Sequence, residues 1–410
     1  MRQSLNLKKA VLVPVTVMLM LVLILAPQLD ASWKQAEAQT RSPSRAIPDP
    51  PELEAEAWAL MDAESGLYLT GENADEQLPI ASTTKIMSAL VILEDGADLD
   101  DEIEVTSEAE EYVGGTYSNV GLIAGERLTA RDLLTAALVP SGTEAIYVLA
   151  QRFGAGSVDN FVERMNEKAD EMGLENTNFE TPAGLDTPDN YSSARDLAKI
   201  AQEALKYPVF AEIVDTTDTT ISTQNRSIEI SNTNLLLTTY RKATGVKTGT
   251  SPESGANLVS SAQDGDESYI AVVLGTEDVA RFTESQALLE YGFARYDRQA
   301  LVEEGEVYEE APLPYRRGET VELVAEEDVG AAVDPNSEVE RRTTNEELPP
   351  SAEAGERLGE VEVYVDGKSV GRSALLAREG YEEASWLDMA WYGVGWVFYT
   401  AWNAIAGLLE

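Results

Sequence analysis

Neither cysteine nor histidine occurs anywhere in the 410 residues of this chain. Without cysteine there can be no disulfide, zinc–thiolate site, thiol nucleophile or lipid-modified N-terminal cysteine. Without histidine the Ser-His-Asp triad, the Cys-His dyad and the usual His-ligated catalytic zinc are excluded. A hydrolase made from this chain must take its general base from lysine, a carboxylate or tyrosine. Basic residues are scarce as well: 30 Lys and Arg stand against 73 Asp and Glu, a net charge of −43. That balance offers no counterion release from a phosphate backbone, which argues against nucleic acid as a partner. It fits solubility at high salt or beside a cationic surface. The 43% of hydrophobic residues suffices for an ordinary core, and the length allows two or three domains.

Both ends carry membrane signals. Arg2, Lys8 and Lys9 precede an uncharged apolar run from Ala10 to Pro27. Residues 1–38 therefore read as a signal peptide or an uncleaved signal anchor, with Ala36-Glu37-Ala38 as a cleavage pattern. Between Ser385 and Leu409 the only charged residue is Asp388, among Trp386, Trp391, Tyr392, Trp396, Phe398, Tyr399 and Trp402. Trp and Tyr prefer the membrane interface, and Asp388, Tyr392, Tyr399 and Asn403 recur at helical steps. Residues 384–410 are expected to form a helix lying at a membrane surface, with a membrane-spanning helix or a helix closing a globular domain as the alternatives.

Between the ends the composition shifts twice. Residues 39–53 form a Pro-rich polar linker. Residues 54–296 open with short strands at 57–62 and 66–69 around a Glu64-Ser65-Gly66 turn, and strands return at 255–262 and 268–275. Helical patterns lie between and after them, at 82–95, 129–151, 157–172, 193–206 and 280–294. Thr129 three residues before Asp132, and Ser193 three before Asp196, have the spacing of a capping box. A strand pair, then helices, then returning strands predicts an α+β domain whose antiparallel sheet closes on its own N-terminal hairpin. Residues 297–383 hold 24 acidic and 9 basic residues and many short Val-rich runs. Val361–Val365 alternates strictly and leads into Asp366-Gly367, a two-residue hairpin turn. A small all-β domain is expected there.

Three short segments carry the chemistry. In Ser82-Thr83-Thr84-Lys85, helical i,i+3 spacing stacks the lysine amine beside the serine hydroxyl. With no histidine available, a lysine whose proton affinity is lowered by burial is the most plausible base for activating a serine. The bland alternative is a capping serine with a surface lysine. Ser141-Gly142-Thr143 follows Pro140, where the bland reading is a helix N-cap. Lys247-Thr248-Gly249-Thr250 reads either as an exposed strand before a turn or as a strand edge offering a cation and a hydroxyl to an extended substrate.

In this order and spacing, the three segments resemble the serine penicillin-recognising enzymes. Met165-Asn166-Glu167-Lys168-Ala169, Thr177-Asn178-Phe179, Gly184-Leu185-Asp186 and Tyr191–Leu197 narrow the resemblance to the low-molecular-weight D-alanyl-D-alanine carboxypeptidases, the peptidase S11-like penicillin-binding proteins. Leu323–Asp328 and Val365–Lys368 extend it to that family's C-terminal domain, so that it covers about residues 54–383. The resemblance implies a penicillin-binding, β-lactamase-like transpeptidase fold followed by a small all-β domain and a membrane-associating helix. It also implies removal of the terminal D-alanine from peptidoglycan stem peptides through an acyl-enzyme, with β-lactams as covalent inhibitors and no metal or organic cofactor. Ser82 would be the nucleophile, Lys85 its base and Ser141 a proton relay. The backbone N–H groups of Ser82 and Thr250 would hold the oxyanion. Lys247, Thr248, Gly249 and Thr250, with Thr143 and Arg281, would meet the substrate, Lys247 and Thr248 at its carboxylate with help from Arg281. For Arg281 the competing reading is a helix-face pair with Glu284 or Glu277. The implied location is the outer face of the cytoplasmic membrane.

The chain departs from the family pattern at Thr143, where asparagine is usual, and at Ala183, where a histidine is common. A threonine hydroxyl cannot supply both a carbonyl and an amide N–H. Three other functions share these residues. A class A β-lactamase has the same first and third motifs, and Glu163-x-x-Asn166 imitates its deacylating pair. A non-catalytic, penicillin-binding wall scaffold would bind without releasing D-alanine. An endopeptidase acting on cross-links would use the same machinery.

Overall fold

Ala57–Asp62 is buried along its whole length, and the computed structural model shows what covers it. The structure describes residues 48–316, 318–345, 348–390 and 392. Residues 1–38, read as a signal or anchor, and residues 393–410 of the aromatic end lie outside them. Among the described residues, no helix is long and apolar enough to cross a membrane.

Five antiparallel strands make the main sheet: β1 (Ala57–Asp62), β2 (Tyr68–Glu72), β3 (Ala243–Ser251), β4 (Gly255–Asp264) and β5 (Glu267–Thr276). Their spatial order is β2-β1-β5-β4-β3, so the N-terminal hairpin closes the sheet, as expected, through pairs such as Ala59 with Val272. Both faces are covered. Ala59, Met61, Ile270, Val272 and Leu274 pack into the larger helical core, while Trp58, Leu60, Ala271 and Val273 pack under the final helix. Double coverage explains why Ala57–Met61 of β1 and Ile270–Leu274 of β5 are apolar without alternating. β2 begins later than the sequence pattern suggests because Leu67 leaves the sheet to enter the core of the second domain.

The helices are α1 (Lys85–Glu94), α2 (Ala130–Leu138), α3 (Thr143–Phe153), α4 (Val158–Glu171), α5 (Ala194–Leu205), α6 (Pro208–Asp215) and α7 (Ala280–Arg295). Thr129 and Ser193 cap α2 and α5 by accepting the N–H groups of Asp132 and Asp196. α1 is buried from Lys85 to Leu93, which marks a helix threaded through the core. The single helix expected over 129–151 is two helices, broken at Val139-Pro140-Ser141-Gly142. Pro140 has no N–H to continue the first helix, and Ser141 takes a left-handed φ of 67°. The apolar periodicity runs through this break and hides it.

Beyond α7 lies an all-β fold: β6 (Asp297–Val302), β7 (Val307–Pro312), β8 (Thr320–Ala325), β9 (Val329–Val333), β10 (Val339–Asn345), β11 (Arg357–Val365) and β12 (Lys368–Ala377). β6 pairs with β9, and the others form a sheet in the order β7-β8-β12-β11-β10. Val361, Val363 and Val365 face its core. Asp366 and Gly367 both have positive φ, at 49° and 77°, as a tight two-residue hairpin requires. The described residues from Pro50 onward group as one unit by internal contacts. Besides Leu67, Asp62 holds the two folds together: its Oδ2 accepts the Ala332 N–H at 2.8 Å. Arg298 pairs with Glu64, and Arg295 with Asp334.

Candidate active site

Ser82 lies in a 3-10 turn, Ala81–Thr84, that runs directly into α1 at Lys85. In such a turn residues i and i+3 eclipse, and Lys85 Nζ stands 2.8 Å from Ser82 Oγ. Ala81, just before the serine, carries a positive φ of 47°. An alanine held in that region stores strain, a feature concentrated at functional sites. Lys85 is not a surface lysine: it is completely buried. Its amine also reaches Ser141 Oγ at 3.5 Å and the Ala183 carbonyl at 3.4 Å. Burial pulls its pKa down to about 7, against a smaller opposing pull from the Glu144 carboxylate. Near neutral pH a large share of this amine is therefore an unprotonated base.

The helix break delivers Ser141. Gly142, not Ser141, is the N-cap of α3, and no side chain caps it. Ser141 is free of that duty and lies beside Lys85 in its left-handed turn. Thr143, the first residue of α3, is buried and donates its N–H to the Ser118 carbonyl at 2.8 Å.

Lys247, Thr248, Gly249 and Thr250 occupy β3, the edge of the main sheet. Gly249 permits the close approach of this edge to the serine turn. A Cβ there would lie 2.6 Å from the Ile80 carbonyl and 3.2 Å from the Thr83 amide. Gly184 does the same from the other side, where a Cβ would meet the Ala81 carbonyl at 1.8 Å. Lys247 is buried, with its amine 3.1 Å from the Thr248 carbonyl. Burial, then the neighbouring Lys85 and Arg281 charges, hold its pKa well below the usual lysine range. Thr248 Oγ1 and Thr233 Oγ1 share a hydrogen bond of 2.6 Å.

Arg281 crosses from the first turn of α7 to the Gly249 carbonyl, 3.2 Å away, and to Thr250 Oγ1. The predicted pairing with Glu277 or Glu284 is replaced by an ion pair with Asp278 at 2.9 Å, while Glu284 accepts the Glu54 N–H. Burial lowers the Arg281 pKa from its ordinary value, opposed by Asp278. The structure thus brings Ser82, Lys85 and Ser141 together at one end, and Arg281 to the Lys247–Thr250 edge. Glu163 and Asn166 stand apart from this chemistry. Glu163 is exposed on α4, and Asn166 is committed to the Phe179 backbone through both side-chain polar atoms.

Sequence reasoning missed Thr233, the Ala183 carbonyl and Glu144. A carboxylate beside Thr143 in the first turn of a helix is a favourable dipole position, the one hint that could have drawn attention to Glu144.

An antiparallel sheet with helices on both faces, a serine–lysine turn against its edge and an all-β fold behind it make this a penicillin-binding, transpeptidase-like α+β architecture. A family model described as D-alanyl-D-alanine carboxypeptidase matches residues 44–278, and one described as the C-terminal domain of penicillin-binding protein 5 matches residues 296–383. The D-alanyl-D-alanine carboxypeptidase DacF of Bacillus subtilis is 30% identical, over 82% of this chain and 87% of its own length. Among solved structures, penicillin-binding protein 5 from Haemophilus influenzae is 32% identical with a TM-score of 0.69, over 82% of this chain and all of that one. The Streptomyces K15 DD-transpeptidase is 36% identical with a TM-score of 0.58, over 60% of this chain and all of that one. The chain belongs to the D-alanyl-D-alanine carboxypeptidase family, peptidase S11.

Proposed function

We propose that the chain is a serine-type D-alanyl-D-alanine carboxypeptidase in which Ser82 is the nucleophile and neutral Lys85 its general base. The observation that carries this reading is the 2.8 Å approach of a fully buried amine to Ser82 Oγ. Lys85 takes the hydroxyl proton as Oγ attacks the carbonyl between the two terminal D-alanines of a peptidoglycan stem peptide. The backbone N–H groups of Ser82 and Thr250 hold the resulting oxyanion. Ser141 passes a proton to the departing D-alanine amine, and water then releases the shortened peptide from the acyl-enzyme. Lys247 and Arg281 receive the substrate carboxylate, with Thr248, Gly249 and Thr143 along the bound peptide. An arriving carboxylate favours the charged form of Lys247, reversing the effect of burial. A β-lactam occupies the same site and acylates Ser82.

The N-terminal positive and apolar segments support export, with the enzyme on the outer face of the cytoplasmic membrane. Exposed Trp386 and Leu387, at the start of the aromatic end, support attachment of residues 384–410 to the membrane surface. The domain boundaries proposed are a linker at 39–53, a catalytic domain at 54–296 and the acidic β domain at 297–383.

The test is release of free D-alanine from a soluble acyl-Lys-D-Ala-D-Ala peptide by the full chain and by Ser82→Ala. Release by the first and none by the second is expected. Penicillin binding without release would instead favour the wall-scaffold reading, and rapid penicillin hydrolysis the β-lactamase one.

A further inference from the structure

Glu144 is completely buried at the second position of α3, a costly place for a carboxylate unless it is well used. Its Oε1 accepts three consecutive backbone N–H groups, from Val120 at 2.7 Å, Gly121 at 3.0 Å and Leu122 at 3.4 Å. Successive amides converging on one oxygen form an anion nest. Its Oε2 is buried without a hydrogen-bond partner. The adjacent Thr143 N–H holds the Ser118 carbonyl, so two neighbouring residues of α3 grip the 118–122 segment. The segment is rich in turns, with Gly114, Gly115, Gly121 and Gly125 all at positive φ, and it is held besides by Arg226 at the Gly121 carbonyl and by Glu126 at the Ile123 N–H. Exposed Tyr117 and Ile123 flank the segment.

We propose that Glu144 is a positioning residue for the hydrolysis, fixing the 118–122 segment against the Ser141–Thr143 turn and supplying a buried negative charge to the lysine-lined cleft. This rests on the carboxypeptidase reading above. The side-chain charge acting on Lys85 is that of Glu144 on α3, while Lys85 and Arg281 on α7 act in turn on Lys247 of β3. The 181–185 segment presents only the Ala183 carbonyl. Glu144 is thus the group that opposes burial, keeping Lys85 basic enough to accept a proton near neutrality.

Two substitutions in the full chain separate the roles. Glu144→Gln keeps the shape and an acceptor oxygen but removes the charge. The acidic limb of kcat/KM for D-alanine release then moves to lower pH by about one unit, since a base that binds its proton less tightly becomes available sooner. Glu144→Asp keeps the charge but withdraws it by one methylene, so KM rises about fivefold while the limb stays near its wild-type position. Melting curves show whether each variant is folded. A folded glutamine variant with the wild-type limb, or an aspartate variant with the wild-type KM, overturns the proposal. If the glutamine variant does not fold, the aspartate variant decides alone. Absence of D-alanine release from the wild type would overturn the carboxypeptidase reading instead. The pH dependence of Ser82 acylation by penicillin would then carry the Glu144 test.

Discussion

Residues 297–383 hold 24 acidic and 9 basic side chains on a small β-fold, and among those described none is buried. The cleft of the preceding domain does the reverse, burying Lys85, Lys247 and Arg281 in a chain of net charge −43. Charge at the surface stays hydrated, so it changes solubility and repulsion but asks little of the fold. Charge in the cleft loses its water and holds its protons less tightly: the pKa values of all three cations are lowered, with burial the largest cause in each. The difference teaches where the chemistry is. A lysine becomes a usable base only where the structure has paid to desolvate it.

The sharpest way to break this contrast is to discharge the cleft. Lys247→Met should lower kcat/KM for D-alanine release by about a hundredfold or more, because the substrate carboxylate loses a charged partner. The same change should leave the melting temperature unchanged or raise it by about 2–4 °C, since an apolar chain of similar length suits a buried site better than an amine held by one backbone carbonyl and facing two cations. Lost activity together with a clearly lower melting temperature would contradict the account. The junction between the two regions comes next. Asp62→Ala leaves the buried Ala332 N–H unpaired and should cost about 1–3 kcal/mol in denaturant unfolding. Unchanged stability would mean that the folds are held together by Leu67 and the arginine pairs alone. The smallest effect belongs to the acidic surface. Glu340 and Arg342 form an exposed ion pair at 2.7 Å, and Glu340→Gln should change neither the melting curve nor D-alanine release.

Several of these features are legible in the sequence, and for physical reasons. Helical spacing alone brings Ser82 and Lys85 together, and cap chemistry marks Thr129 and Ser193. Alternation followed by Asp366-Gly367 marks the second domain's hairpin. What escapes depends on distant partners. The break at Pro140–Gly142 is masked by apolar periodicity on both sides of it. Arg281 has acids at convenient helical spacings, yet its reach to Gly249 is set by how α7 packs on β4 and β5, next to β3. Leu67 resembles a strand residue until a domain more than two hundred residues later supplies its core. Glu144 shows only its place in a first helical turn, because its three amide donors come from a segment that only the fold brings to it.

The central claim is that a buried lysine replaces histidine as the base of this enzyme. It is tested most directly by the rate of Ser82 acylation by penicillin in the full chain, measured from about pH 5 to about pH 10. The pKa of Lys85 is lowered to about 7, so the neutral amine becomes more abundant as pH rises through that value. The account predicts a rate that climbs with pH, with its midpoint near 7. A flat profile across the range, or a midpoint near the ordinary lysine value of about 10, would contradict it.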